Sequence, residues 1–396
     1  MLLQFNVTNY LSFKNEAVLS LYANKDKMHE EFLLDSKKEI VLPTVAVYGA
    51  NAAGKSNLHK ALTAAIKLVR QPSNLQINEP LLPIVPFLLD EESKNKPTRF
   101  DFIFISNGMK YEYGFTANQT EVIEEYLYEY KSSKASMIFE RTNVNEYQFT
   151  SKTKSQLSVF TERNTPNKLF LATATSWNCE LTKNAYMWFA EMVDTYDSSN
   201  LEMLVLEQFD RSIKSGDDSL NKFVLQLLKN VDINISNFDY ELSDRRITTL
   251  HKIKQNGETK EYPLDFNSES SGTKQLFLYG PLLKDAFEKG KTIIIDEIEK
   301  ALHPLLVKSL IEMFHNPNIN KNGAQLIFNT HEVSLLDLDL FRRDQIYFVE
   351  KDYETAQSDL YSLDEFSPRK TENIQKGYLQ GRYGAIPFLG LGDFEW

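Results

Sequence analysis

The sequence predicts an α/β fold: a mixed, largely parallel sheet flanked by helices, with a β-rich arm and a helical insertion. Three observations point there. Residues 270–363 alternate helical and buried-strand patterns (SGTKQLFLYGPLLKDAF, TIIID, HPLLVKSLIEMF, AQLIFNT, QIYFVE), as parallel strands joined by helices require. A short apolar run, TVAVYG, leads directly into KSNLHKALTAAIKLVR, with Leu58, Leu62, Ile66 and Leu68 on one broad helical face. The composition is ordinary for a globular chain: 396 residues, 42% hydrophobic and 25% charged. That length can bury a large core and suggests about two domains.

Taken in order, residues 1–50 read as strands, since LLQFNVTNY and EAVLSLYA alternate apolar with polar residues. The helix over 55–70 follows. From 98 to 149 the pattern is strand-like again (TRFDFIFIS, MKYEYGFTA, EVIEEYLYEYK), and Asn107-Gly108 is a strong hairpin turn. Between 176 and 231, AYMWFAEMVDTY, NLEMLVLEQFD and LNKFVLQLLKNV are amphipathic at helical spacing without proline. Short strands return over 236–264 around an Asn256-Gly257 turn. The expected division is 1–150 as an N-terminal lobe with the β-rich arm, 151–240 as a mainly helical insertion, and 241–396 as a C-terminal lobe. No internal repeat, low-complexity tract or sustained heptad pattern is visible.

Composition excludes several classes. A single cysteine, Cys179, leaves no intrachain disulfide and no Cys-rich zinc site. The start, MLLQFNVTNYLSF, lacks the basic and apolar regions of a signal peptide, and no run approaches the ~18 to 20 apolar residues of a membrane helix. The expectation is a soluble, reduced, cytoplasmic protein with no membrane partner. With Lys+Arg 44 against Asp+Glu 55, the net charge of -11 disfavours a dedicated nucleic-acid binder, although a local basic patch remains possible.

Four motifs carry chemistry. Gly49-Ala50-Asn51-Ala52-Ala53-Gly54-Lys55-Ser56 matches the phosphate-binding P-loop pattern between a buried strand and an amphipathic helix. Its glycines let backbone N–H groups turn inward, Lys55 reaches the outer phosphates, and the Ser56 hydroxyl can ligate Mg²⁺. TIIIDE places Asp296 and Glu297 at the C-terminal tip of a buried strand, where ligands of α/β sheets gather. Asp296 suits Mg²⁺, directly or through a second shell, and Glu297 suits orienting or deprotonating a water. The alternative is a strand end capped by solvated acids. Ser270, Ser271 and Gly272 form a small-residue turn opening a helix, a second phosphate-binding surface or a plain N-cap. Finally, QLIFNTH ends a buried strand in His331, an imidazole able to meet a γ-phosphate or an ordinary core or surface histidine. Turn, acidic tip and histidine tip follow one another in the order a single nucleotide site needs.

The set GANAAGKS, ESSGTKQ, IIIDEIEKALHP and IFNTH resembles the ATP-binding-cassette superfamily of ATPase heads, in its SMC-like rather than transporter branch. FNVTNYLSF, the long gap between Lys55 and Asp296, and KGYLQGRYGAIPF are similar to the RloA/AbiLi-like AAA family ATP-binding proteins of bacterial phage-defence operons. The resemblance spans nearly the whole chain, with its sharp motifs in the head.

The resemblance implies Mg²⁺-dependent hydrolysis of ATP, with Gly49, Asn51, Ala52, Ala53, Gly54, Lys55, Ser56 and Asn57 binding ATP and Ser56 and Asp296 holding the metal. It implies Glu297 as catalytic base, His331 as γ-phosphate switch, and Ser270, Ser271 and Gly272 as the signature completing a partner's site. It also implies a head-to-tail homodimer or higher homo-oligomer and abortive infection through a separately encoded nuclease-like effector. The departures are a signature lacking the fuller Leu-Ser-Gly-Gly-Gln form, no clear Q-loop (Gln71 and Gln76 fit poorly), no coiled-coil rod and no nuclease acids after His331.

Competing readings are a RecF-like DNA repair or recombination ATPase binding DNA, and a switch that binds ATP but scarcely hydrolyses it. Glu299 is read as pairing along the surface with Lys300, with a place near the site the alternative, and His303-Pro304 is expected to open the next helix. Arg342-Arg343 and Arg369-Lys370 are read as solvated faces, with nucleic acid or protein contact the alternative. The aromatics at 98–130 are read as the buried face of a sheet rather than as base-stacking groups.

Overall fold

A computed structural model describes residues 1–36, 39–70, 76–196, 201–230, 232 and 234–387. Its centre is a six-stranded sheet in the order Val193–Tyr196, Thr292–Ile295, Gln325–Asn329, Thr44–Tyr48, Ile346–Lys351, Ser358–Ser362. The first five strands run parallel and Ser358–Ser362 returns antiparallel. All five residues of Thr44–Tyr48 are buried, as both faces of a parallel sheet should be.

Alternation then sorts the side chains. Val45, Val47, Ile294, Ile327, Tyr347 and Val349 face one core, which they share with Leu58, Leu62 and Ile66 of the helix Lys55–Arg70. Ala46, Tyr48, Ile293, Leu326 and Phe348 face the other, packed on the helices Leu201–Ser215, Ser219–Lys229, Ser271–Lys289 and Pro304–His315. Across the Lys55–Arg70 helix lies a seven-stranded antiparallel sheet in the order Glu146–Gln148, Ser136–Asn143, Val122–Tyr130, Met109–Ala117, Thr98–Ser106, Leu2–Thr8, Ala17–Ser20. Asn107 and Gly108 both take positive φ in the tight turn between two of its strands. Phe100, Phe102, Phe104 and Tyr113 form its buried face and are inaccessible, whereas Tyr126, Tyr128 and Tyr130 stand half-buried on the opposite face, against that expectation. The Tyr126 and Tyr130 hydroxyls donate to Asp101 at 2.6 Å and Glu112 at 2.7 Å.

Two expectations are corrected. The helical reading of AYMWFAEMVDTY ends at Met192, because Val193–Tyr196 is a strand hydrogen-bonded in parallel to Thr292–Ile295. Pairing at an open sheet edge outweighs an amphipathic pattern that four residues barely define. Arg342 and Arg343 are not a solvated face. Arg342 is 0% exposed, pairs with Asp344 at 2.9 Å and donates to the Asp26 carbonyl at 2.9 Å, while Arg343 pairs with Asp26 at 3.0 Å. Both arginines clamp the segment 24–28 to the sheet, so this pair does not stand free for nucleic acid. The terminal residues up to 387 pack on the last strands, with the Ala385 amide donating to Glu350 at 3.1 Å and the Tyr383 ring lying 5.9 Å from Phe348. No helix among the described residues is long and apolar enough to cross a membrane.

Candidate functional site

The P-loop joins the central strand Thr44–Tyr48 to the helix Lys55–Arg70. Its glycines answer to space. Gly49 has φ 155°, and a Cβ there would meet the Val349 carbonyl oxygen at 2.3 Å. Gly54 has φ 122° and lies against the hydroxyls of Ser358 and Ser12, 2.5 and 2.8 Å from where its Cβ would sit. Ser358 also donates to the Ala53 carbonyl at 2.5 Å, and Asn57 donates to Ser12 at 2.8 Å. Ser12 and Ser358 thus brace the loop from behind.

Lys55 is only 5% exposed, and its ammonium donates to the carbonyls of Gly49 at 2.7 Å and Ala50 at 3.0 Å. It stands 3.3 Å from Nδ1 of His331. Burial pulls its pKa down to about 8, against the upward pull of Glu299, Glu297 and Asp296. Burial and the nearby Lys55 lower His331 as well, and the same three carboxylates oppose them.

The acidic tip comes from the next strand but one. Ser56 Oγ donates to Asp296 Oδ1 at 3.1 Å, and the Asn329 side-chain amide donates to the same oxygen. The oxygen of that amide accepts from the Glu297 backbone N–H at 2.6 Å. Asn329, at the end of the intervening strand, therefore sets Asp296 and Glu297 relative to each other. Glu297 itself takes φ 54°, a left-handed turn that carries its side chain off the strand axis into an exposed position. A hydroxyl and a carboxylate side by side are hard oxygen donors of the kind Mg²⁺ takes, so the residues present fit that ion.

These pieces surround one cleft of about 580 Å³, lined by P-loop residues between Ala50 and Asn57 with Glu297 and His331. Of the candidate ATP-binding residues, Gly49 and Ala53 turn to the core side of the loop and the others line the cleft. Ser270, Ser271 and Gly272 do not line it. Ser270 caps the helix Ser271–Lys289, accepting from the Thr273 N–H at 3.1 Å, and Ser270 and Ser271 are exposed. Glu269, just before them, is buried and accepts from His251 at 2.7 Å. A second cleft of about 430 Å³ lies at the far end of the P-loop helix, where Arg70 and Lys291 pair with Asp194 at 3.0 and 2.8 Å. It holds none of the four motifs.

Sequence reasoning missed Asn329 and favoured the surface reading of Glu299 over its place near the site. Glu299 turns inward, its Oε1 accepting from the His331 backbone N–H at 2.6 Å, so the expected surface pairing with Lys300 is overturned. Both lie inside motifs, Asn329 two residues before His331 and Glu299 two past Glu297, but each works through a partner 32 positions away. His303 caps and Pro304 opens the next helix, as expected. Gln71 lies outside the described residues, and Gln76 is exposed away from the cleft.

Strand, glycine-braced loop and helix around a cleft with two strand-tip acids define a P-loop domain. The chain belongs to the family described as AAA domain, putative AbiEii toxin, Type IV TA system, which matches residues 45–337. No curated protein matches the sequence. Among solved structures it is similar to the SMC head domain from Thermotoga maritima, at 13% identity over 91% of this chain and 98% of that one, with a TM-score of 0.42. It is also similar to the Smc head domain with an extended coiled coil, bound to the C-terminal domain of ScpA, from Pyrococcus furiosus. There the identity is 12% over 92% of this chain and 97% of that one, with a TM-score of 0.44.

Proposed function

We propose that this chain is an ABC-type ATPase that hydrolyses ATP to ADP and phosphate. The observation that carries the reading is the single cleft where the P-loop, the acidic tip and His331 meet from three adjacent strands. Backbone N–H groups between Asn51 and Asn57, at the helix N-terminus, bind the phosphates. Lys55 reaches the outer ones, and Ser56 with Asp296 holds the metal. When bound, Mg²⁺ neutralises phosphate charge. Glu297 orients an attacking water and takes its proton, while Lys55 and His331 hold the γ-phosphate as the bond to ADP breaks.

We further assign the working unit to a head-to-tail homodimer, with Ser270, Ser271 and Gly272 of one chain completing the cleft of the other. What supports this is their exposure at a helix N-terminus outside their own chain's cleft. In the cell, the proposed role is the sensing subunit of a cytoplasmic anti-phage defence system that controls a separately encoded, nuclease-like effector. The toxin–antitoxin wording of the family description supports a separately encoded partner. On this reading 1–150 and 241–396 carry the nucleotide motifs of the head, and 151–240 adds the strand Val193–Tyr196 and two packed helices to the same central sheet. The DNA-binding alternative, which keeps the same head, loses Arg342-Arg343, one of the two basic clusters it could use.

The test is steady-state phosphate release with Mg²⁺-ATP, with light scattering of the Glu297→Gln variant. Turnover lost in Lys55→Ala, and a monomer that becomes a dimer only with Mg²⁺-ATP, are expected. A mass indifferent to ATP would sink the composite site. Lys55-dependent cutting of nucleic acid by the chain alone would sink the separate effector.

A further inference from the structure

We infer that Glu299 is a positioning residue that holds His331 in register and ties it to the turn at Gly272. This deepens the ATPase reading and rests on it for its kinetic consequences. The carboxylate has an exposed lysine beside it in sequence, yet it points the other way. Its Oε1 accepts from the His331 backbone N–H at 2.6 Å, and its Oε2 is enclosed without a partner. A charge-assisted bond to a backbone amide fixes the peptide from which the His331 ring projects, and so fixes where the ring meets Lys55.

The loop around Glu299 is held at its start, where the Ile298 amide donates to the Asn329 carbonyl at 3.3 Å and the Ile298 carbonyl accepts from the Tyr279 hydroxyl at 3.3 Å. The Leu302 amide closes the turn on the Glu299 carbonyl at 2.8 Å. The Ala301 carbonyl then lies 3.1 Å from where a Cβ on Gly272 would be. A displacement of His331 is therefore carried, through Glu299 and one tight turn, to the face of the Ser271–Lys289 helix that starts at the exposed serines.

Two measurements test this. The first is hydrogen exchange of the 329–333 segment, which needs no turnover. Glu299→Ala is expected to speed exchange at the His331 amide about ten-fold, whereas Glu299→Gln, which keeps an acceptor oxygen, leaves it protected. The second is a kinetic cycle. Glu299→Ala is expected to lower kcat about ten-fold with KM for ATP little changed, Glu299→Gln to stay within about three-fold of wild type, and Glu299→Ala to cost nothing further in a His331→Ala background. Unchanged exchange in Glu299→Ala, or a full additional loss in the His331→Ala background, would overturn the inference. A wild-type chain that turns over no ATP would instead overturn the ATPase reading, and exchange alone would then decide the role of Glu299.

Discussion

Lys55 is a cation with three close polar neighbours and only 5% of its surface exposed. Its two carbonyl acceptors replace hydration, and the surrounding carboxylates keep its charge from being lost to burial. Replacing it with alanine is expected to remove phosphate release altogether. Glu297→Gln is expected to keep ATP binding and lower kcat by roughly 10² to 10⁴, measured in the same assay. His315 offers a pH prediction. Its Nε2 accepts from the Gln345 amide at 3.1 Å and its ring stacks on Phe32 at 4.3 Å, so it is held neutral and burial lowers its pKa to about 3. The unfolded chain, near pKa 6.5, takes up a proton that the folded chain refuses. The stabilisation from neutral His315 is therefore complete above about pH 6.5 and declines as pH falls toward 3. Thermal melts at pH 7.5 and pH 5 are expected to show a larger loss in wild type than in His315→Gln, by about 2 kcal/mol. The motif residues could be read in the sequence because adjacency within the chain defines them. Asn329, Glu299 and Arg342 could not, since each acts through a partner some 30 or 300 positions away.

At the scale of elements, the P-loop is shaped as much by what stands behind it as by its own glycines. Ser12 comes from the antiparallel side and Ser358 from the last strand, so three distant segments meet at Gly54. Gly54→Ala must both strain its backbone and displace these hydroxyls. It is expected to weaken ATP binding at least about ten-fold, as read by nucleotide titration, with a smaller drop in melting temperature. Hairpins and long helices were legible because their periodicity or turn chemistry is local. The strand Val193–Tyr196 was not, because it exists through its pairing with Thr292–Ile295. Arg342→Ala, which leaves Asp344 unpaired in a dry setting, is expected to cost about 3–5 kcal/mol by denaturant titration. Any loss of DNA binding in that variant would therefore report unfolding.

For the whole molecule, the α/β layering followed from the alternating patterns of the last third. The way the first third threads into it did not, since no local signal says which strands become neighbours. The Thr44–Tyr48 strand lies between Gln325–Asn329 and Ile346–Lys351, both of them far along the chain. Gln325 fastens the start of the chain as well, exchanging hydrogen bonds with Leu2 at 2.7 and 3.0 Å. During synthesis the P-loop strand thus emerges with neither neighbour available, and it must wait until some 300 further residues have left the ribosome. An interrupted translation product would carry the phosphate-binding loop without the sheet that shapes it. On the proposed ATPase reading, nucleotide capture therefore belongs only to a chain translated through the strand Ile346–Lys351.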